Sequence, residues 1–171
     1  MTRTGFTAAA ALALLLLGGP ATAQDVKPKI GDRIGDWVYQ CQAVSAEETV
    51  CGLIQNIADR GTKQQVLGVA IRPIGPDNRL AMLVTAPLGI FLGTGIGGKV
   101  DDEPQFAFNL QSCSQRGCQA AIELKDKLLA DMKKGTRLVV GFKARPEEKT
   151  IAVPVSLTGF TAGLNAIGKK N

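Results

Sequence analysis

The sequence predicts a mainly β protein: a single-domain antiparallel β-sandwich or barrel with two short helices, stapled by disulfides. Three observations point there. Apolar and polar residues alternate through short segments along most of the chain, the period of a half-buried strand. Turn residues separate those segments, and helices do not fall between strands often enough for a βαβ rhythm. Four cysteines make an even set in a chain that begins like an exported one.

The beginning is a leader, not part of the fold. Arg3 opens a short positive region, and Ala8 to Leu17 is an unbroken apolar run of ten residues. Gly18-Gly19-Pro20 ends it, and Ala21-Thr22-Ala23 forms a cleavage site before Gln24, which together describe a secretory signal peptide over residues 1–23. The run is too short to span a bilayer, which takes roughly 20 apolar residues. No cysteine follows the site to carry a lipid. The expected mature chain has 148 residues, no transmembrane span, and enough length to bury a real core.

Residues 24–34 are polar, with Pro28 and Gly31, and are expected to be a flexible lead-in to a domain over 35–171. From Asp36 the period is two: Trp37, Tyr39 and Cys41 share a face, and Val50 to Gln55 returns as a partner strand. Val66 to Ile71 and Leu80 to Val84 flank Gly75-Pro76-Asp77-Asn78 as a hairpin buried on at least one side. Ile90 to Lys99 is glycine-rich and β-branched. Phe106 and Phe108 alternate toward Cys113, and Ala120, Ile122 and Leu124 form the next half-buried strand.

The period then changes. Leu124, Leu128 and Met132 fall four apart on a helical face, with Gly135 expected as a left-handed stop and Lys133 and Lys134 at the C-terminus. Leu138, Val140, Phe142 and Ala144 alternate with Arg137, Lys143 and Arg145 in a strand over 136–145. Ile151 to Val155 follows. A last helix carries Phe160, Leu164 and Ile167 on one face, with Ser156 or Thr158 as its cap and Gly168 at its end. About eight strands are expected, with no internal repeat.

Four cysteines allow three pairings. Cys41–Cys51 and Cys113–Cys118 are expected, because each pair is close in sequence with turn-forming residues between. Loops this short contribute roughly 2–3 kcal/mol each. A four-thiolate zinc site fits poorly, since Cys41 and Cys51 are too far apart for a ligand pair and export is oxidising.

Composition excludes more than it assigns. With no histidine there is no Ser-His-Asp or Cys-His machinery and no His-bound metal. Hydrophobic residues are 45% of the chain and charged residues 20%, which argues for a folded protein. Gly93-Thr94-Gly95-Ile96-Gly97-Gly98-Lys99 matches two nucleotide-loop patterns, but Val100 follows the lysine and an acidic turn follows that. Both patterns need a helix next, so this is a glycine-relieved strand or loop. Asp101-Asp102-Glu103 lacks the spaced ligands of a calcium loop. No catalytic residue, cofactor or metal is expected, and the chain reads as a non-enzyme.

Charge is lopsided. Residues 24–118 carry nine Lys and Arg against ten Asp and Glu, and residues 119–171 carry ten against five. Arg137, Lys143 and Arg145 share the outward face of one expected strand and are the candidate basic binding face. Aromatics do not interleave with them and the chain is expected to be exported, so nucleic acid fits poorly and is not an expected partner.

Taken together, these residues resemble the invasion-associated locus B family of exported bacterial proteins. The landmarks are Gly35-Asp36-Trp37 leading to Cys41, then Cys51, then Pro87-Leu88-Gly89 ahead of Phe91-Leu92. Phe106 and Phe108 before Cys113, Gly117-Cys118-Gln119-Ala120 and Ser156-Leu157-Thr158-Gly159-Phe160 complete the set. The resemblance implies a small β-rich protein of the periplasm or outer surface, with no catalytic residue to transfer. The expected function is binding of a protein or an anionic component of the envelope or host surface. The alternative is a periplasmic carrier of a small apolar ligand held in the interior. A hydrolase ranks below both.

Overall fold

The computed structural model describes residues 28–168; the expected leader lies outside the described residues. Ten strands form: β1 (Arg33–Ile34), β2 (Trp37–Ala43), β3 (Thr49–Ala58), β4 (Gln65–Ile74), β5 (Arg79–Ala86), β6 (Ile96–Val100), β7 (Phe106–Ser114), β8 (Gly117–Glu123), β9 (Arg137–Phe142) and β10 (Ile151–Ser156). Helix α1 (Asp126–Lys134) lies between β8 and β9, and α2 (Phe160–Ile167) closes the chain. The mainly β, antiparallel, disulfide-stapled fold with two short helices is the one the alternation predicts. Ten strands exceed the eight or so expected; one that the sequence did not reveal is β1, hidden in the polar lead-in, where Gly31 and Asp32 also bond to the backbone of Tyr39.

All ladders are antiparallel, in the order β1-β2-β3-β4-β5-β8-β7-β6-β9-β10. Strand β7 belongs to two leaves. Phe106 to Phe108 pair with β6, and Asn109 to Ser114 pair with β8 across an irregularity between Leu110 and Ser112. An extra residue in one strand bends and twists it, and here the bend folds one leaf over the other. Trp37, Leu53, Ile71, Met82 and Val84 from the larger leaf join Ile96, Leu138, Val140, Val153 and Val155 from the smaller one in a single core.

Two devices close the open side. The Gln55 amide on β3 reaches the backbone of Ser156 on β10: Nε2 donates to the carbonyl at 3.1 Å, and the Ser156 N–H donates to Oε1 at 3.0 Å. One side chain thus does the work of a strand neighbour. The second device joins two distant landmarks. Gly35 and Gly159 meet backbone to backbone, with φ of 63° and 86°, and a Cβ on either would strike the carbonyl side of the other's turn. Only glycine combines that conformation with that approach. Beside them the Asp36 N–H donates to the Thr158 carbonyl at 3.1 Å, and the Trp37 and Phe160 rings lie 5.9 Å apart. The Trp37 indole N–H is buried and has no acceptor among the described residues.

Three local expectations need correction. Gly135 is extended, with φ −70° and ψ 164°, not left-handed. Glycine stands there because a Cβ would crowd Val100 and Asp101. Neither Ser156 nor Thr158 caps α2. Its N-cap is Gly159, without a side-chain bond, because the Gly35 contact sets the chain direction there. The strand expected over 136–145 stops at Phe142. Lys143 and Arg145 therefore lie in the following loop.

Candidate functional site: the outer trough of the larger leaf

A strand with one solvated face should alternate, yet Val66 to Ile71 is apolar or glycine throughout. The structure shows why. Leu67, Val69 and Ile71 point into the core, while Gly68 and Ala70 floor an open trough of about 1150 Å³ on the outside of the larger leaf. The register builds it in rungs. Val38, Ile54, Ala70, Leu83 and Ala121 align across β2, β3, β4, β5 and β8 as a half-buried aliphatic rung. On one side runs the rung of Gln40, Gly52 and Arg72, and on the other that of Asn56, Gly68, Thr85 and Gln119.

The lining is chemically uneven. Five carboxamides, Gln40, Gln42, Asn56, Gln65 and Gln119, face the trough, and Arg72 and Arg116 are its charged groups. Among the described residues no carboxylate lines it. Among the described residues the ion pairs engage Arg79, Lys125, Lys127 and Arg145, and neither trough arginine. A smaller recess of about 320 Å³ continues across Gln40, Ile54 and Asn56 toward Arg33 and Asp36. Of the site residues named from the sequence, Cys41 touches the trough, and the landmark residues Pro87 and Gln119 line it too. The missed signal was the two-sided apolar run of β4.

The cysteines sit where their spacing placed them. Cys41 faces Cys51 across β2 and β3, and Cys113 faces Cys118 across β7 and β8, each pair disulfide-bonded. The disulfides displace the zinc alternative. Both staple hairpins of the larger leaf.

The candidate basic residues are spread out. Arg137 opens β9, and Lys143 lies six residues on, roughly 20 Å along an extended chain. Lys143 donates from Nζ to the Pro146 carbonyl at 3.1 Å, and Arg145 lies 3.3 Å from Glu148. Arg137 sits beside Asp101. That carboxylate accepts the Thr136 N–H at 2.8 Å, the Thr136 hydroxyl at 2.9 Å and the Arg137 N–H at 3.1 Å. The Thr136 bonds chiefly, helped by the Arg137 N–H and charge, hold its pKa below the ordinary value. Asp101 thus serves the junction before β9. The glycine run over 93–99 is a 3₁₀ turn, Leu92–Thr94, followed by β6, with no helix for a phosphate to meet.

The family profile described as "Invasion associated locus B (IalB) protein" matches residues 37–168. The chain belongs to the invasion associated locus B family. Invasion protein B homologues from two Brucella abortus strains are each 28% identical over 166 residues, covering 97% of this chain and 91% of theirs. The crystal structure of invasion associated protein B from Bartonella henselae superposes with a TM-score of 0.69 at 21% identity, over 80% of this chain and 92% of that one. At that identity the likeness carries the fold. Among the described residues, no helix of this invasion associated locus B protein is long and apolar enough to cross a membrane.

Proposed function

We propose that this protein is exported to the bacterial envelope and acts there without catalysis, by holding a protein or an anionic surface component. The observation that carries this reading is the outer trough: open, aliphatic along its floor, lined by five carboxamides and two arginines, with no carboxylate among the described residues. Such a surface suits recognition of a negatively charged partner. The space between the leaves is occupied by the packed core, which leaves the interior-carrier reading without a comparable observation. The names of the Brucella and Bartonella relatives speak of invasion. Contact with a host surface and upkeep of the envelope are the two settings in which such a binder would act.

The test is a cross-linking pull-down with oxidised chain from residue 24 onward, in envelope extract at low and high salt. A partner captured at low salt and reduced at high salt is the expected result, since screening weakens exposed charge contacts. Capture of nothing in either buffer would overturn the binding reading.

A further inference from the structure

We propose that the outer trough receives an extended, acidic stretch of polypeptide, clasped by carboxamide side chains as Gln55 clasps β10. This deepens the binding reading above and rests on it.

The precedent lies inside the molecule. Gln55 satisfies both the N–H and the carbonyl of Ser156 with one planar amide, because a carboxamide carries the same donor and acceptor as a peptide group. On the opposite face of the same leaf, Gln40, Gln42, Asn56, Gln65 and Gln119 offer that chemistry. None has a side-chain hydrogen bond within the described residues. Gly52 and Gly68 lie in the trough strands and are covered by the chain itself, Gly52 by Ile71 and Arg72 and Gly68 by the Gln65 and Asn56 side chains, which brings those two carboxamides together over the floor.

The lining also discriminates among anionic partners. Among the described residues no aromatic ring faces the trough, so a base finds no platform there on which to stack. Trp37 and Tyr39 are buried on the inner face. The aliphatic floor is one rung wide with polar rungs on both sides, too narrow and too wet for an acyl chain. A polypeptide uses all three components: its backbone meets the carboxamides, small side chains meet the aliphatic rung, and its carboxylates meet the arginines.

The arginines set a spacing. Arg72 pairs with Ala81 on β5, whereas Arg116 precedes Gly117, which packs on the far end of β5 at Ala86. Five to six strand residues separate the two positions, roughly 20 Å at the usual rise. The preferred segment therefore carries acidic residues about six positions apart in extended form.

Display libraries of peptides about twelve residues long provide the test. One library fixes Glu at two positions six apart with small or apolar residues between them, and the other fixes Lys at both. The oxidised chain from residue 24 is expected to enrich the Glu library alone. The enriched peptides should bind Arg72→Glu/Arg116→Glu about tenfold or more weakly, and Ala70→Trp likewise, since the new indole would fill the floor. Both variants must keep their disulfides and a cooperative melt. Arg137→Glu/Lys143→Glu/Arg145→Glu should bind within about twofold of the parent.

Equal enrichment of the two libraries, or undiminished binding to Ala70→Trp, would overturn the proposal. So would anionic phosphatidylglycerol vesicles binding through Arg72 and Arg116 where the peptides do not. If the envelope partner is captured equally by the trough variants, the peptide inference falls and the binding reading stands. If no partner is captured, the binding reading itself falls.

Discussion

Asp101 shows what one carboxylate does when its donors exist only in the fold. Three groups from Thr136 and Arg137 bond to it, and its pKa is lowered from the ordinary 3.8. A depressed carboxyl contributes stability above its unfolded pKa and loses it as pH falls through the lower folded value. Asp101→Asn is therefore expected to melt below the parent at pH 7, with the gap closing as the pH drops below about 3.8. Paired thermal melts from pH 7 to pH 2 check this, and a constant gap would refute it. In the sequence, Asp101-Asp102-Glu103 is one acidic turn. Nothing local reveals that Asp101 binds residues 35 and 36 positions away while Glu103 turns to Lys127.

At the scale of elements, nearly every strand was legible, because period two survives wherever one face is buried. Trp37 and Tyr39, then Leu138, Val140 and Phe142, are buried as their alternation indicates. Strand neighbours were not legible. The β5–β8 and β6–β9 pairings join strands distant in sequence, and the irregularity at which β7 passes from β6 to β8 leaves little trace in a composition pattern. The landmark glycines acquire their meaning only when Gly35 and Gly159 touch. Gly35→Ala or Gly159→Ala combines positive-φ strain with a backbone collision, a loss of roughly 2–4 kcal/mol. At this size that lowers the melting midpoint by about 10 °C. Differential scanning calorimetry reads it, and a shift under about 2 °C would remove the latch from the account. Gln55→Leu leaves the N–H and carbonyl of Ser156 without their partner, costing about 2–3 kcal/mol in urea unfolding. Gln55→Glu keeps an acceptor but loses the donor. Its cost should therefore exceed zero, and a parental urea midpoint would mean that the clasp adds nothing.

Across the whole molecule, the covalent staples and the trough lie on the same leaf. Cys41–Cys51 ties β2 to β3 and Cys113–Cys118 ties β7 to β8, whereas β6, β9 and β10 have no covalent link to their neighbours. The smaller leaf depends on core packing and the Gln55 clasp. Reduction should therefore act unevenly. Each short loop that is opened costs roughly 2–3 kcal/mol, felt first as local opening of the hairpin it closes. Hydrogen exchange after reduction is expected to rise in β2, β3, β7 and β8 while β9 and β10 keep most of their protection. Trp37, the one tryptophan, is buried at the latch between the leaves. Its emission should remain that of a buried indole until global unfolding. Uniform loss of protection with an immediate red shift would show the two leaves to be a single cooperative unit. The uneven result would make the trough responsive to redox state, because Cys41 lines its edge and the strands that loosen are those that shape it.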